Sequence, residues 1–175
     1  QFLSNEQTAF SFHRQQILEK EKEGAIEIAS TSEIHLYGLK EYVRSRVISL
    51  EVAKKLCREV HYRLRGKDYY SIGLKNDSGG WELRNRYYKN SCSPKDTSHI
   101  RNGANKLIVT EGMFDMLSLL ELNPKLESES DFLVLNSAAF VKKVFDRIEE
   151  YDSIELYLLP KSASTDRGFM KASRI

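Results

Sequence analysis

Two acidic residues separated by a glycine stand where an apolar run meets an amphipathic one. In KLIVTEGMFDMLSLL (106–120), Glu111 follows the apolar run directly and Asp115 comes four residues later. Gly112 permits a sharp strand-to-helix turn, and Asp115 falls in the first turn of the predicted helix, so both carboxylates can face one cavity. Paired carboxylates bind divalent metal or exchange protons during phosphoryl chemistry. Spacing alone leaves open the alternative that both residues only cap a helix.

A basic segment precedes this acidic pair. Between His61 and Lys106 the chain has ten Lys/Arg against four Asp/Glu, whereas the rest has 17 against 21. Such asymmetry is typical of a protein with a polyanionic partner. In GGWELRNRYYK the period of two predicts that Arg84 and Arg86 project from the same face of a strand. The alternative is a basic sheet face that is only solvated.

The elements that must position these residues change character along the chain. Residues 1–35 are polar and charge-rich and are predicted to form a linker or arm. Apolar residues at helical spacing after Leu36 predict two short helices, the second capped by Ser49. HYRLRG, DYYSIGLKN and GGWELRNRYYK, separated by glycine-containing turns, predict a strand meander. After this meander, predicted strands alternate with predicted helices, which indicates a buried parallel sheet with helical crossovers. The runs are, in order, KLIVT, FDMLSLLEL, DFLVLNSAA, FVKKVFDRIEEY and SIELYLL.

Several classes of protein are not indicated. Cys57 and Cys92 lie far apart without a CxxC partner, so neither a zinc ribbon nor a disulfide framework is predicted. The four histidines lack metal-ligand spacing. No apolar run approaches the roughly 18 residues that span a bilayer, so we expect no membrane partner and a cytoplasmic location.

The chain resembles a known family over nearly its whole length. TEGMFDMLSLL, followed by DFLVLNSAA and SIELYL, is similar to the Toprim domain of bacterial primases, topoisomerases and related nucleases, above all in primase-like proteins of mobile elements from the Bacteroides group. Three upstream segments resemble the lobe that precedes the Toprim domain in those proteins: FSFH at 10–13, LKEYVRSRVISLEVAKKL and HYRLRGKDYYSIGLKNDSGGWELRNRYYKNSCSPKD. The resemblance implies an α/β fold with a Toprim-like parallel sheet and flanking helices, preceded by a small α+β lobe with an antiparallel strand meander. It implies an arm at 1–35, a primase-type lobe at 36–104, and a Toprim domain at 105–175 whose C-terminal part is incomplete or diverged.

The resemblance also implies roles for the two acids. Glu111 matches the Toprim glutamate, a proposed catalytic acid/base associated with metal. Asp115 matches the acid that primases place four residues later, and both would act with Mg²⁺ or Mn²⁺. A Toprim domain should also carry an Asp-x-Asp pair after its third strand, but here SIELYL runs into Leu159-Pro160-Lys161-Ser162, and Asp166 is wrongly spaced. Three explanations of the missing Asp-x-Asp pair are possible: a diverged or inactive domain, a C-terminal segment altered by truncation or frame change, or residues omitted from the sequence. The similarity ends abruptly, which favours a missing or altered segment.

The basic segment receives its roles from the same resemblance. Arg84, Arg86 and Lys89 match residues with which primases hold the template or the incoming nucleotide, and Lys95 adds to them. Nearby tyrosines could stack on bases of a single strand. The implied partners are a single-stranded DNA template, nucleoside triphosphates and a replicative helicase.

The expected function is therefore that of a DNA-primase-like nucleotidyltransferase, which makes short RNA primers on single-stranded DNA in replication or transfer of DNA. The alternative is a catalytically inactive Toprim-like module that only binds nucleic acid. A Toprim nuclease or topoisomerase ranks third, because the sequence shows no strand-cleaving tyrosine domain.

Overall fold

The computed structural model describes residues 25–158. These residues form two β-sheets and five short α-helices. FSFH and most of the predicted arm lie outside the described residues, and so does everything after Leu158, including the position expected for an Asp-x-Asp pair.

The larger sheet has five strands in the order β1-β2-β3-β4-β5, and every pairing in it is antiparallel. Its strands are β1 Glu27–Ser32, β2 Arg58–Leu64, β3 Lys67–Lys75, β4 Trp81–Arg84 and β5 Lys89–Cys92. β1 belongs to the segment for which the sequence predicted a linker or arm.

Two short helices connect β1 to β2 and cover one face of this sheet. Helix α1 spans Tyr37–Ser45, and α2 spans Leu50–Leu56. The Ser49 side chain accepts a hydrogen bond from the Val52 amide, which satisfies an otherwise unpaired donor in the first turn of α2. Apolar residues of both helices pack into one core with residues of β3 and with the helix Met113–Leu122 of the second half of the chain.

The smaller sheet has four strands in the order β6-β8-β7-β9. Its strands are β6 Ser98–Ile100, β7 Lys106–Thr110, β8 Asp131–Val134 and β9 Ser153–Tyr157. β7 runs parallel to β8 and to β9, whereas β6 runs antiparallel to β8. All of β8 and four of the five residues of β7 are buried, as expected for strands with both faces covered.

The helices of this half differ greatly in length. Helix α3 spans Met113–Leu122 and buries six residues, whereas α4 spans only Leu126–Glu129 and α5 only Lys142–Phe145. Short 3₁₀ turns at Ala138–Phe140 and Ile148–Glu150 flank α5. Among the described residues, no helix is long and apolar enough to cross a membrane.

The predicted fold class is wrong. Instead of a Toprim-like parallel sheet with flanking helices behind a small α+β lobe, the chain has a five-stranded antiparallel sheet and a small mixed sheet. The predicted helix FVKKVFDRIEEY is broken into short turns, because its apolar stripe is hardly buried: Val144 is buried, but Phe145 is 62% and Ile148 41% exposed. Without a buried face a helix of this length gains too little to form. β6 has the sequence SHI, so no apolar run predicts it as a strand. It makes the smaller sheet mixed because it pairs antiparallel with β8.

Candidate functional site

A cavity of about 570 Å³ lies where the two sheets meet, and we call it the polar cavity. The larger sheet and the loop after it contribute three cations and one acid, and the smaller sheet contributes Glu111 and the segment after β8. The charged lining residues are Glu82, Arg84, Lys89, Lys95 and Glu111. Three cations against two acids leave a cationic excess, which suits a phosphate-bearing ligand.

Glu111 follows the last residue of β7, so the carboxyl end of this strand delivers it to the cavity. The turn that carries it is held by its neighbours: Asp115 Oδ2 accepts a hydrogen bond from the Gly112 amide at 2.9 Å, as part of the N-terminal cap of α3. Asp115 thus caps the helix, which is the role that the spacing of the two acids left open as an alternative. Glu111 therefore sits on a turn fixed by the neighbouring acid.

Asp115 does not line the polar cavity, although it lies close enough to Glu111 for their charges to interact. Burial raises the pKa of Asp115, and the negative charge of Glu111 acts in the same direction. The amide of Gly112 and the cations Arg46 and Lys89 oppose the shift. The two predicted acids are thus neighbours, but with different surroundings.

Arg84 is held inside the cavity wall. Its guanidinium lies 3.5 Å from Glu82 and donates to the carbonyl oxygens of Leu83 and Asn90. The two charged side chains are only 13% and 8% exposed. Burial lowers the pKa of Arg84 and raises that of Glu82, and their opposite charges counter both shifts. The positive charge of Arg84 is therefore partly balanced by the charge of Glu82 before any ligand binds.

Lys89 and Lys95 are the more available cations. Both are exposed, and within residues 25–158 no carboxylate forms an ion pair with either. Lys89 pairs with Arg84 across the β4–β5 ladder, so the two side chains share a face. A phosphate in the cavity would meet these two ammonium groups first.

The loop that carries Lys95 is anchored by Asp96. The Asp96 carboxylate is ion-paired with Lys143 and accepts hydrogen bonds from Ser78 Oγ at 2.5 Å and the Thr97 amide at 2.7 Å. Burial acts to raise the pKa of Asp96, but these partners outweigh it and lower the pKa to about 2. The anchor joins the β3–β4 turn, this loop and helix α5.

Asn136 connects the two walls of the cavity. It follows β8 with a φ of 62°, a left-handed conformation that asparagine tolerates. Its amide N–H donates to the Glu111 carbonyl at 3.0 Å, and its Nδ2 donates to the Asp96 carbonyl at 2.8 Å and to Ser98 Oγ at 3.0 Å. Its buried Oδ1 has no hydrogen-bond partner among the described residues. The segment with Glu111 and the loop with Lys95 are thereby held at a fixed separation.

Arg86, the fourth predicted cation, lies elsewhere. β4 ends at Arg84, so the strand alternation that placed both arginines on one face does not extend to Arg86, which lines a separate cavity beside α1. Sequence reasoning also missed Asn136 and Asp96. The only hint of Asn136 was the string LNS after an apolar strand, and no signal pointed to Asp96.

No preformed metal centre is present in the described part of the chain, where no group of three His, Cys, Asp or Glu side chains could hold an ion. Glu111 faces the cavity, and Asp115 has one oxygen committed to the α3 cap. Mg²⁺ is commonly bound through one or two carboxylates together with substrate phosphates. This donor set therefore fits an ion that enters with a phosphate-bearing ligand, but not a resident one.

The comparisons with known proteins are few. The sequence model of a family described as a domain of unknown function (DUF8464) matches residues 28–93, fewer than half of the 175 residues. No curated protein and no solved structure matches the chain. The matched range covers the larger sheet with Arg84 and Lys89, but neither Lys95 nor Glu111, so over this range the chain is similar to a family whose description names no activity.

Proposed function

We propose that this chain is a DNA-primase-like nucleotidyltransferase that joins nucleotides into RNA primers on single-stranded DNA. The observation that carries the proposal is that Glu111 lines one cavity together with Arg84, Lys89 and Lys95. Phosphoryl transfer needs cations to neutralise phosphate oxygens and a group to manage the proton of the attacking hydroxyl, and this cavity offers both. The proposal includes a cytoplasmic location and a replicative helicase as partner.

The cations have distinct tasks in this proposal. Lys89 and Lys95, which are exposed and unpaired within residues 25–158, bind the phosphates of the nucleotide or the template. Arg84, held by Glu82, keeps a fixed positive charge at the back of the cavity. Lysine serves well as a point charge for phosphate.

Glu111 takes the proton in the bond-making step. The 3′-hydroxyl oxygen of the growing strand attacks the α-phosphorus of the incoming nucleotide, and its proton passes to the Glu111 carboxylate. The bond from the α-phosphorus to the bridging oxygen breaks, and pyrophosphate leaves with the electron pair. Mg²⁺ or Mn²⁺ bound to the phosphates would neutralise charge there, with Glu111 as the carboxylate that lines the cavity, whereas Asp115 would hold the Glu111 turn rather than bind the ion.

A second candidate is a module that binds single-stranded nucleic acid without turnover. It is favoured by the cap contact that occupies Asp115 and by the lack of a three-ligand metal group within residues 25–158. In this case the cations would have the same role, and Glu111 would be dispensable.

Replacement of Glu111 by Gln separates the two candidates. With Mg²⁺, nucleoside triphosphates and a single-stranded template, we expect the wild-type chain to synthesise primers and Glu111→Gln to lose at least about 100-fold in rate. Binding of the template should persist, because the substitution removes a negative charge. Glu129→Gln, a change of the same type in the exposed end of α4, serves as the matched control.

The result that contradicts the nucleotidyltransferase is equally concrete. If the wild-type chain binds the template but makes no primer with either metal, the binding module replaces it. If Glu111→Gln synthesises primers at the wild-type rate, the role of Glu111 is wrong.

A further inference from the structure

A second cavity, of about 520 Å³, lies between helix α1 and the tip of the β4–β5 hairpin, and tyrosines dominate its lining. We call it the tyrosine groove. Its six tyrosines are Tyr37, Tyr42, Tyr69, Tyr70, Tyr87 and Tyr88. Four of these side chains are well exposed, from 48% for Tyr70 to 80% for Tyr87. Open aromatic faces on this scale are typical of a binding surface.

Two of the rings and the backbone of the hairpin tip are held in place before any ligand binds. Tyr69 stacks on Tyr62 with ring centroids 5.6 Å apart and meets the edge of Tyr88 at 5.7 Å. At the hairpin tip, Asn85 Oδ1 accepts hydrogen bonds from the amides of Tyr87 and Tyr88 at 2.9 and 2.8 Å. A ligand that stacks on Tyr69 and Tyr88 therefore orders few side chains, which lowers the entropic cost of binding.

The charges around the groove suit an uncharged aromatic ligand better than a phosphate. Glu41 is paired with Arg44 at 2.6 Å, and Asp68 with Arg63 at 3.1 Å. Among residues 25–158, Arg86 is the one cation in the lining, and a guanidinium can stack on a base as well as a tyrosine ring can. The groove thus offers aromatic faces with little net charge.

The groove adjoins the polar cavity through a single hairpin. Arg84 and Lys89 line the polar cavity, and the four residues between them, 85–88, line the groove. Tyr42 lies at the boundary: burial raises the pKa of its hydroxyl, and the charges of Arg46 and Arg84 oppose this shift, so both guanidinium groups lie nearby. Phosphate sites and stacking sites are therefore neighbours, as they are along a single nucleic acid strand.

We propose that the tyrosine groove binds unpaired bases of a single strand whose phosphates occupy the polar cavity. This inference rests on the proposed function, since it takes the cationic cavity as the phosphate site. It adds a base-stacking site that acts without reading sequence, because every base presents an aromatic face.

The test compares two strands that differ only in their bases. Fluorescence anisotropy gives the Kd for an oligothymidylate and for an abasic strand of the same length and charge. We expect Tyr87→Ala to weaken oligothymidylate binding roughly 5- to 150-fold and to leave abasic-strand binding unchanged. Tyr87→Phe should bind like the wild type, and Leu122→Ala, which truncates a 77% exposed residue at the end of α3, is the control.

Lys89→Ala separates a failure of this inference from a failure of the proposed function. If it weakens both strands while Tyr87→Ala weakens neither, the groove assignment alone is overturned. If Lys89→Ala affects neither strand, the cavity is not the phosphate site, which overturns this inference together with that part of the proposed function. If the wild-type chain binds neither strand, both assignments are overturned. Binding of a proline-rich peptide that Tyr87→Ala abolishes, with oligothymidylate binding unaffected, would assign the groove to a protein segment and overturn the inference.

Discussion

The polar cavity and the tyrosine groove are neighbours built on different principles. The walls of the polar cavity come from both sheets and are joined by buried polar contacts of Asp96 and Asn136. The groove is made by one hairpin, one helix and the first half of β3, and four of its six tyrosines are well exposed. Charged groups near a core need fixed partners, because an unpaired buried charge is costly, whereas exposed rings need only a firm backbone. We therefore expect the cavity to be sensitive to small changes that the groove tolerates.

The largest expected effect comes from Gly80, which lies beneath the loop that carries Lys95. A β-carbon there would overlap the Pro94 carbonyl oxygen and lie 2.7 Å from that of Cys92, and backbone atoms cannot yield as a flexible side chain can. We expect Gly80→Ala to lower the free energy of unfolding by about 1–3 kcal/mol in urea denaturation.

Gly38, in α1 beside the groove, is the matched control. An added β-carbon would only touch the Tyr70 hydroxyl at 3.8 Å, so Gly38→Ala should leave stability unchanged or raise it by up to about 1 kcal/mol. Equal losses at the two glycines would break the distinction between a tight cavity and a permissive groove.

The next largest effect on stability is expected from acidic residues, of which Asp96 lies beside the polar cavity and Asp68 beside the tyrosine groove. The pKa of Asp96 is lowered to about 2, so its contribution to stability is present above about pH 4 and is lost as the pH falls through about 2. Asp96→Asn should therefore cost roughly 1–2 kcal/mol at pH 7 and only a small part of that near pH 2, as measured by urea unfolding at both values. Asp68→Asn, beside the groove, breaks only an exposed pair and should cost less than about 0.5 kcal/mol at pH 7. A loss at Asp96 that does not depend on pH would show that its charge has no part in the anchor.

The smallest effect distinguishes phosphate contact from base stacking. Lys95→Ala should reduce the slope of log Kd against log salt for single-stranded DNA by about 0.7, the value of one lost phosphate contact. Arg86→Ala should weaken binding at every salt concentration and leave the slope nearly unchanged, because the groove contacts bases. Equal changes of slope would mean that both regions bind phosphate.

Part of the fold could be predicted from the sequence, and the reason differs from strand to strand. The apolar runs of β7 and β8 are visible because burial selects their residues. The half-buried β9 and the aromatic run of β3 are visible because β-branched and aromatic residues favour strands. β6, with the sequence SHI, is short and largely polar and pairs with the edge of β8. Its own residues therefore contain no pattern that predicts a strand. Since β6 decides that the smaller sheet is mixed, the predicted sheet type was wrong even though the runs were recognised.

The candidate site divides in the same way. The position of Glu111 followed from a strand end, and the enrichment in cations followed from counting charges. The separation of Arg84 from Arg86 depends on where β4 stops, which the residue pattern does not reveal. Asn136 and Asp96 act through contacts with residues 18 or more positions away, for which one sequence contains no signal.

The double attachment of Asn136 has a consequence for which ligands fit. Because this residue holds the Glu111 segment on one side and the Asp96 loop on the other, neither wall can retreat alone. A guest bulkier than the gap must first break at least one of these hydrogen bonds, at a cost of about 1–3 kcal/mol for the buried group left unpaired. We therefore expect a ligand that must widen the gap between these two segments to bind more weakly than one that fits within it.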